Sequence, residues 1–259
     1  ADATHAFAAL ARRRGAIIAT GAVAQPWVEG GVARGVEVAG ERRPAGAVVV
    51  AAGPWTPGLV DPTGAWCPIR PMWGVIAELA LPTPPRHVLE AVTEDAPLLL
   101  HRPPAEPAPG GSGRLPPPAA AGTDVPEADL LFTLNPSPQS PGGPMAPTAL
   151  GGTFTPNEPD PWRLAPTLIR NARPYLPWID ERLIAGVRAC PRPTSFDGRP
   201  LIGRVPGIER LVIAAGNGGW GISTGPATAR IAADAVLAGH DQGVPAELRA
   251  RRPEPAGTA

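Results

Sequence analysis

The stretch "LVIAAGNGGWGISTGPATARIAADAVLAG", residues 211–239, most narrows what this chain can fold into. It joins an all-apolar run, a turn almost without side chains, and a small-residue run with helical character. An apolar run of this length bounded by glycines reads as a strand buried in a sheet, and the turn passes it straight into a helix. Ser223 or Thr224 can cap that helix, Pro226 suits its first turn, and Gly239 can end it. Backbone N–H groups at such a start carry partial positive charge and attract anionic or electron-rich ligand atoms. Gly218 and Gly219 permit close approach of a flat ring. A tight strand–helix turn with no ligand is the alternative reading.

Gly216, Gly218 and Gly221 also spell G-x-G-x-x-G. A dinucleotide fingerprint requires a second strand after the helix, with an acidic residue about 20 positions on to hold the ribose. Asp241 stands near that distance, but it follows a helix end and only polar chain comes after it. The spelling therefore does not mark a pyrophosphate site.

Elsewhere the pattern alternates between helix and strand. "ADATHAFAALARRRG" reads as an amphipathic helix with Gly15 as its stop. "AIIA", "VAQPWVEGG" and "VARGVEVAG" read as short strands, with a hairpin turn at Glu29-Gly30-Gly31. Val48, Val49 and Val50 form a run expected of a strand buried on both faces, ending in the small-residue turn Ala51-Ala52-Gly53 before Trp55. "PIRPMWGVIAELAL" reads as a strand leaving the first sheet. "DLLFTLNP" and "TALGGTFTP" read as paired strands, and "PWRLAPTLIRNARPYLPWI" as a helix ending before Pro174. Residues 103–128 are a low-complexity, proline-rich insertion. Two short strands are expected around the Asp197-Gly198 turn, and the last residues read as a frayed tail.

Composition sets limits on chemistry. The formal net charge is zero, which points away from nucleic acid and anionic membranes as partners. There is no lysine, so Schiff-base and lysine-base mechanisms are excluded for this chain. Cys67 and Cys190 form no C-x-x-C, and the histidines (His5, His87, His101, His240) lack metal-ligand spacing, so no metal site is expected. With no apolar run of spanning length and no basic-started signal peptide, a cytoplasmic protein is expected.

Taken together, "VRACPRPTSFDGRPLIGRVPGIERLVIAAGNGGWGISTGPATARIAADAVLAG" resembles the C-terminal part of the D-amino acid oxidase / glycine oxidase family of FAD-dependent oxidoreductases. "GAVVVAAGPWTPGLV" resembles an internal strand of that family, one that ends beside the cofactor. The resemblance implies an α/β (α+β) fold: part of a glutathione-reductase-like FAD-binding domain plus a mostly antiparallel substrate domain. The expected division is 1–67 and 186–245 for the FAD-binding domain, 68–185 for the substrate domain, and 246–259 for the tail.

The resemblance also implies roles. FAD is the cofactor, and the chemistry is hydride removal from the carbon bearing an amine of a small amino acid or N-methylamino acid. Arg192 matches the arginine that forks onto the substrate carboxylate; as an unliganded residue it would be a surface arginine or pair with Asp197. Asn217, Gly218, Gly219, Trp220, Gly221 and Ile222 match the turn facing the flavin pyrimidine, with Trp220 also near substrate. Ala52, Gly53 and Trp55 match the segment along the ribityl and pyrophosphate part, although Trp55 is equally readable as core. Met72, Trp73 and Gly74 fall where the family's chain crosses into its substrate domain, placing Trp73 at the pocket. Cys190 stands near the position where the sarcosine oxidase branch attaches its flavin through a thioether; an ordinary small buried thiol is the other reading.

The match lacks the family's own G-x-G-x-x-G segment, which grips the FAD pyrophosphate. A fragment, a split enzyme whose other half is a separate chain, and a cofactor-free remnant are the three explanations. A non-catalytic subunit of the same fold is thus the competitor to an oxidase or dehydrogenase.

Overall fold

The computed structural model describes residues 2–83, 85, 87–91, 132–135 and 147–250. They fall into two compact units. One gathers the chain up to Cys67 with the stretch from Arg199 onward, and the other spans Pro68–Gly198.

The first unit opens on α1 (Asp2–Arg13). The strands β1 (Ala24–Glu29), β2 (Val32–Val38) and β3 (Glu41–Pro44) then form an antiparallel sheet in the order β1-β2-β3. Gly30 and Gly31 make the first hairpin turn with positive φ at both positions, which two-residue turns of this hand require. A second sheet has the order β10-β11-β4, built from β4 (Val48–Val50), β10 (Leu201–Arg204) and β11 (Leu211–Ala215). β11 runs parallel to β4 and antiparallel to β10. β4 leads into a 3-10 turn, Gly53–Trp55, and a short helix α2 (Thr56–Val60). The unit's last long helix, which spans Gly221–Ala238, packs on β10 and β11. Ile202 and Val212 meet its Ala232 and Ala235, with Val244 closing the cluster.

The second unit is a five-stranded antiparallel sheet in the order β6-β7-β8-β5-β9. Its strands are β5 (Ile69–Leu79), β6 (Leu89–Ala91), β7 (Phe132–Asn135), β8 (Thr148–Gly151) and β9 (Ile184–Ser195). β5 and β9 pair along nearly their whole length, from Ile69 opposite Ser195 to Leu79 opposite Ile184. Helix α3 (Pro161–Ala172) starts at Asp160, whose side chain accepts the Trp162 N–H, and has Pro161 in its first turn. Its Ala165, Leu168, Ile169 and Ala172 recur at helical spacing and pack on Val75, Ala77, Leu79, Leu134 and Leu150. The helix Gly221–Ala238 is α4 below.

Several expectations need correction. The "AIIA" run forms no strand: Ile17 is 95% exposed, and nothing pairs with that run among the described residues. β4 is covered on one face only among the described residues, with Val48 and Val50 buried and Val49 45% exposed. The boundary expected at 186 falls inside β9, whose ladder with β5 carries the second unit on to Gly198. The strands flanking Asp197-Gly198 accordingly belong to different sheets. α4 begins at Gly221 without a side-chain cap, so Pro226 lies inside it and Thr224 turns back to donate to the Trp220 carbonyl. The expected tail starts with ordered chain, since the Ala250 N–H donates to the Ile202 carbonyl. The proline-rich insertion at 103–128 and residues 251–259 lie outside the described residues.

Candidate functional site

In the first unit, β11 delivers the chain through Gly216, with φ of 83°, and Gly218, with φ of 55°. Both angles lie in the left-handed region, where a side chain is strained. The turn is held from behind by Asn217. Its Nδ2 donates to Thr224 Oγ1 and to Thr228 Oγ1, each at 2.8 Å, tying the turn to the first two turns of α4. The outer edge, Gly219–Ser223, stays exposed, with Trp220 at 54% and Ile222 at 84%. The result is a rigid shelf of backbone and apolar surface at an uncapped helix start, and a Cβ at Gly218 would meet nothing within 4 Å. A flat ring with hydrogen-bond acceptors fits such a shelf.

The β4 turn has the same character. Gly53 has φ of 58° and open space where a Cβ would stand. Trp55 is 67% exposed, which corrects its reading as core. Ala52 and Gly53 are half-buried. Beside them Thr56 is fully buried, and its Oγ1 has no hydrogen-bond partner among the described residues. A buried hydroxyl without a partner costs about 1–3 kcal/mol.

Asp241, the acidic residue near the ribose-ligand distance, is committed elsewhere. Its two carboxylate oxygens accept the Arg204 N–H at 3.1 and 3.0 Å. A cleft of about 450 Å³ in this unit is lined by Gly30, Gly31, Arg204 and Glu209 and contains none of the expected site residues.

In the second unit, Arg192 sits on β9 opposite Met72, and Cys190 opposite Gly74. On the other side of β5, Trp73 exchanges both backbone hydrogen bonds with Thr155, at 2.7 and 2.8 Å. Phe154, which precedes Thr155, therefore flanks Gly74. The Arg192 side chain crosses β5 over Gly74: a Cβ built there would lie 1.8 Å from Nη1. Nη1 donates to the Thr153 carbonyl at 2.9 Å, and Cζ lies 4.5 Å from the centre of the Phe154 ring. Burial pushes the Arg192 guanidinium down from its ordinary value; the Cys190 thiol acts in the opposite sense and Arg188 adds to the lowering. Among the described residues no carboxylate pairs with it, Asp197 included, and its Nε and Nη2 donate to nothing. Asp197 instead accepts from Ser195 at 3.2 Å. The result is a positive fork clamped on one side and open on the other.

Trp73 does not share this surface. Side chains alternate along a strand, so Trp73 points to the face opposite Met72 and Gly74, the face of Val75, Ala77 and Leu79. Trp73, expected at the pocket, thus lies on the other face of β5 from the Arg192 guanidinium. Gly74, Thr153, Phe154 and Arg188 are the site residues the sequence reading missed. The spacing Arg188-x-Cys190-x-Arg192 was the available signal, since period two puts all three on one face.

Cys67 and Cys190 are not joined in a disulfide. Among the described residues no group of three or more His, Cys, Asp or Glu side chains could hold a metal ion. Among the same residues no helix is long and apolar enough to cross a membrane.

The family described as DAO, FAD dependent oxidoreductase, matches residues 1–235. Glycine oxidase from Bacillus licheniformis is 37% identical over 94 residues, covering 34% of this chain and 25% of that protein. The fold is similar to that of iminodiacetate oxidase from a Chelativorans species, with a TM-score of 0.62 at 19% identity over 94% of this chain and 56% of the other. It is similar also to glycine oxidase from Bacillus cereus, with a TM-score of 0.61 at 19% identity over 93% and 57%. The chain thus spans a quarter of the curated relative and little over half of either solved structure.

Proposed function

The chain belongs to the family of FAD-dependent oxidoreductases, and from that premise we propose that it serves in oxidising the C–N bond of a small amino acid or N-methylamino acid. One observation carries the substrate side of this reading. Arg192 is a half-buried, clamped guanidinium with two nitrogens unengaged and no acid beside it among the described residues. A planar fork of this kind matches a carboxylate in bidentate geometry. Holding the carboxylate fixes the amine-bearing carbon, and fixed geometry is what a hydride transfer needs.

On the cofactor side, Asn217, Gly218, Gly219, Trp220, Gly221 and Ile222 would hold the flavin pyrimidine. Ala52, Gly53 and Trp55 would lie along the ribityl and pyrophosphate part. Bound FAD supplies the hydride acceptor. The uncapped start of α4 would stabilise negative charge developing over the Gly219–Ile222 edge. Cys190, whose thiol accepts a hydrogen bond from Arg188, is the candidate for a thioether to the flavin. The grip on the FAD pyrophosphate would come from chain outside this sequence, either continuous with it or a separate partner. A cytoplasmic setting is part of the proposal.

The competing reading is a non-catalytic subunit of the same fold. Visible flavin absorbance after adding FAD, with and without a co-expressed upstream segment, separates the two. The oxidoreductase reading expects a flavin band when that segment is present; no band in either case rejects it. A yellow pellet after denaturation supports attachment at Cys190, and a colourless one rejects it.

A further inference from the structure

Arg188, Cys190 and Arg192 share one face of β9, and the structure brings both guanidinia to a single rung of the β5–β9 ladder. Arg188 Nη1 donates to Cys190 Sγ at 2.8 Å. Cys190 is the register partner of Gly74, and the Arg192 guanidinium lies over that same glycine. Like charges brought this close repel, and Arg188 is among the groups that lower the Arg192 guanidinium, after burial. Among the described residues, one acid offsets the pair. Glu78 accepts from Arg188 Nε at 3.3 Å, on a side where both side chains are well exposed. Among the described residues, Arg188 Nη2 and Arg192 Nε and Nη2 have no partner. Two cations with one acid leave an unbalanced charge that an anionic ligand would neutralise.

A single carboxylate held by Arg192 would leave Arg188 half-engaged. We infer that this face takes a substrate with two acidic groups, a dicarboxylic amino acid or N-carboxyalkyl amino acid, in which Arg192 holds the carboxylate next to the reacting carbon and Arg188 holds the second. This rests on the reading of Arg192 proposed above and adds a specificity-determining residue to it. Neighbouring strands are about 5 Å apart, so the two carboxylates should be joined by a short spacer of a few atoms.

The test is calorimetric titration with two probes that carry no oxidisable amine: thiodiacetate, with two carboxylates, and (methylthio)acetate, with one. The native protein should bind thiodiacetate about 10-fold more tightly, the gain from one more charge-assisted pair. Arg188→Gln should bring thiodiacetate down to the affinity of (methylthio)acetate and leave the latter unchanged. Arg188→Lys, which keeps the charge but not the fork, should retain part of the preference and guards against a folding defect in the first variant. Arg192→Met should weaken both probes. Equal binding of the two probes by native protein, or a preference that survives Arg188→Gln, overturns this inference and leaves the role of Arg192 standing. Unchanged binding of both probes by Arg192→Met overturns the reading of Arg192, and the inference with it.

Discussion

The guanidinium of Arg192 occupies the space in which a side chain at Gly74 would stand. An ideal Cβ at Gly74 would lie 1.8 Å from Nη1 and 2.1 Å from Cζ, so nothing larger than glycine fits beneath that arginine as placed. Gly74 is therefore a positioning residue for Arg192. Gly74→Ala should displace the guanidinium from the Thr153 carbonyl and the Phe154 ring while leaving the β5–β9 ladder paired. The expected result is at least about a 10-fold loss of carboxylate affinity with far-UV circular dichroism unchanged, the loss of one well-placed charged hydrogen bond. Unchanged affinity would show that Arg192 needs no such seat.

Asn217 should matter to stability and to flavin affinity together. Asn217→Ala removes two donations at 2.8 Å, to Thr224 and to the buried Thr228. The expected destabilisation is about 1–3 kcal/mol in urea unfolding, with weaker FAD binding because the turn loses its brace. Loss of stability with full flavin affinity would separate the turn from the cofactor.

The amount of this legible in the sequence differs by element. The strand–turn–helix at 211–239 was readable because an apolar run, a glycine turn and a small-residue helix have distinct local signatures. Gly30-Gly31 and the Pro161 start of α3 were readable for the same reason. The limits of β9 were not, because the period-two spacing of Arg188, Cys190 and Arg192 is interrupted by two prolines, and pairing with the neighbouring β5 is what carries the strand on to Ser195. Nor was the seat of Arg192. Gly74, Thr153 and Phe154 lie far from it along the chain and meet it through strand register, a non-local property that no spacing within one segment encodes.

The core beneath this face should behave independently of the ligand site. Leu168 on α3 is fully buried against the sheet. Leu168→Ala should cost about 2–5 kcal/mol in urea unfolding, from lost burial and the cavity left behind. Near-native carboxylate affinity is expected in the folded variant.

Stability should fall on acidification partly through Asp61 and Asp180. Asp61 is held below its ordinary carboxylate value chiefly by the Thr63 hydroxyl, and by the Trp66 N–H. Asp180 is held below it chiefly by the Arg182 side chain, and by the Arg182 N–H. A depressed folded value means the contribution is present above the unfolded value and is lost as pH falls through the folded one. Urea midpoints should therefore decline below about pH 4, and Asp61→Asn should flatten part of that decline. An unaltered profile would remove Asp61 from this account.

The most direct test of the central claim follows the flavin in the assembled, FAD-loaded protein mixed anaerobically with N-methylglycine. Native protein should lose its oxidised flavin band as substrate is consumed. Arg192→Met should bind flavin normally yet need roughly 30-fold or more substrate for the same loss, the cost of removing one partner of a desolvated charge pair. No bleaching by N-methylglycine or any other amino acid, or bleaching of the variant at the native concentration, would contradict the account.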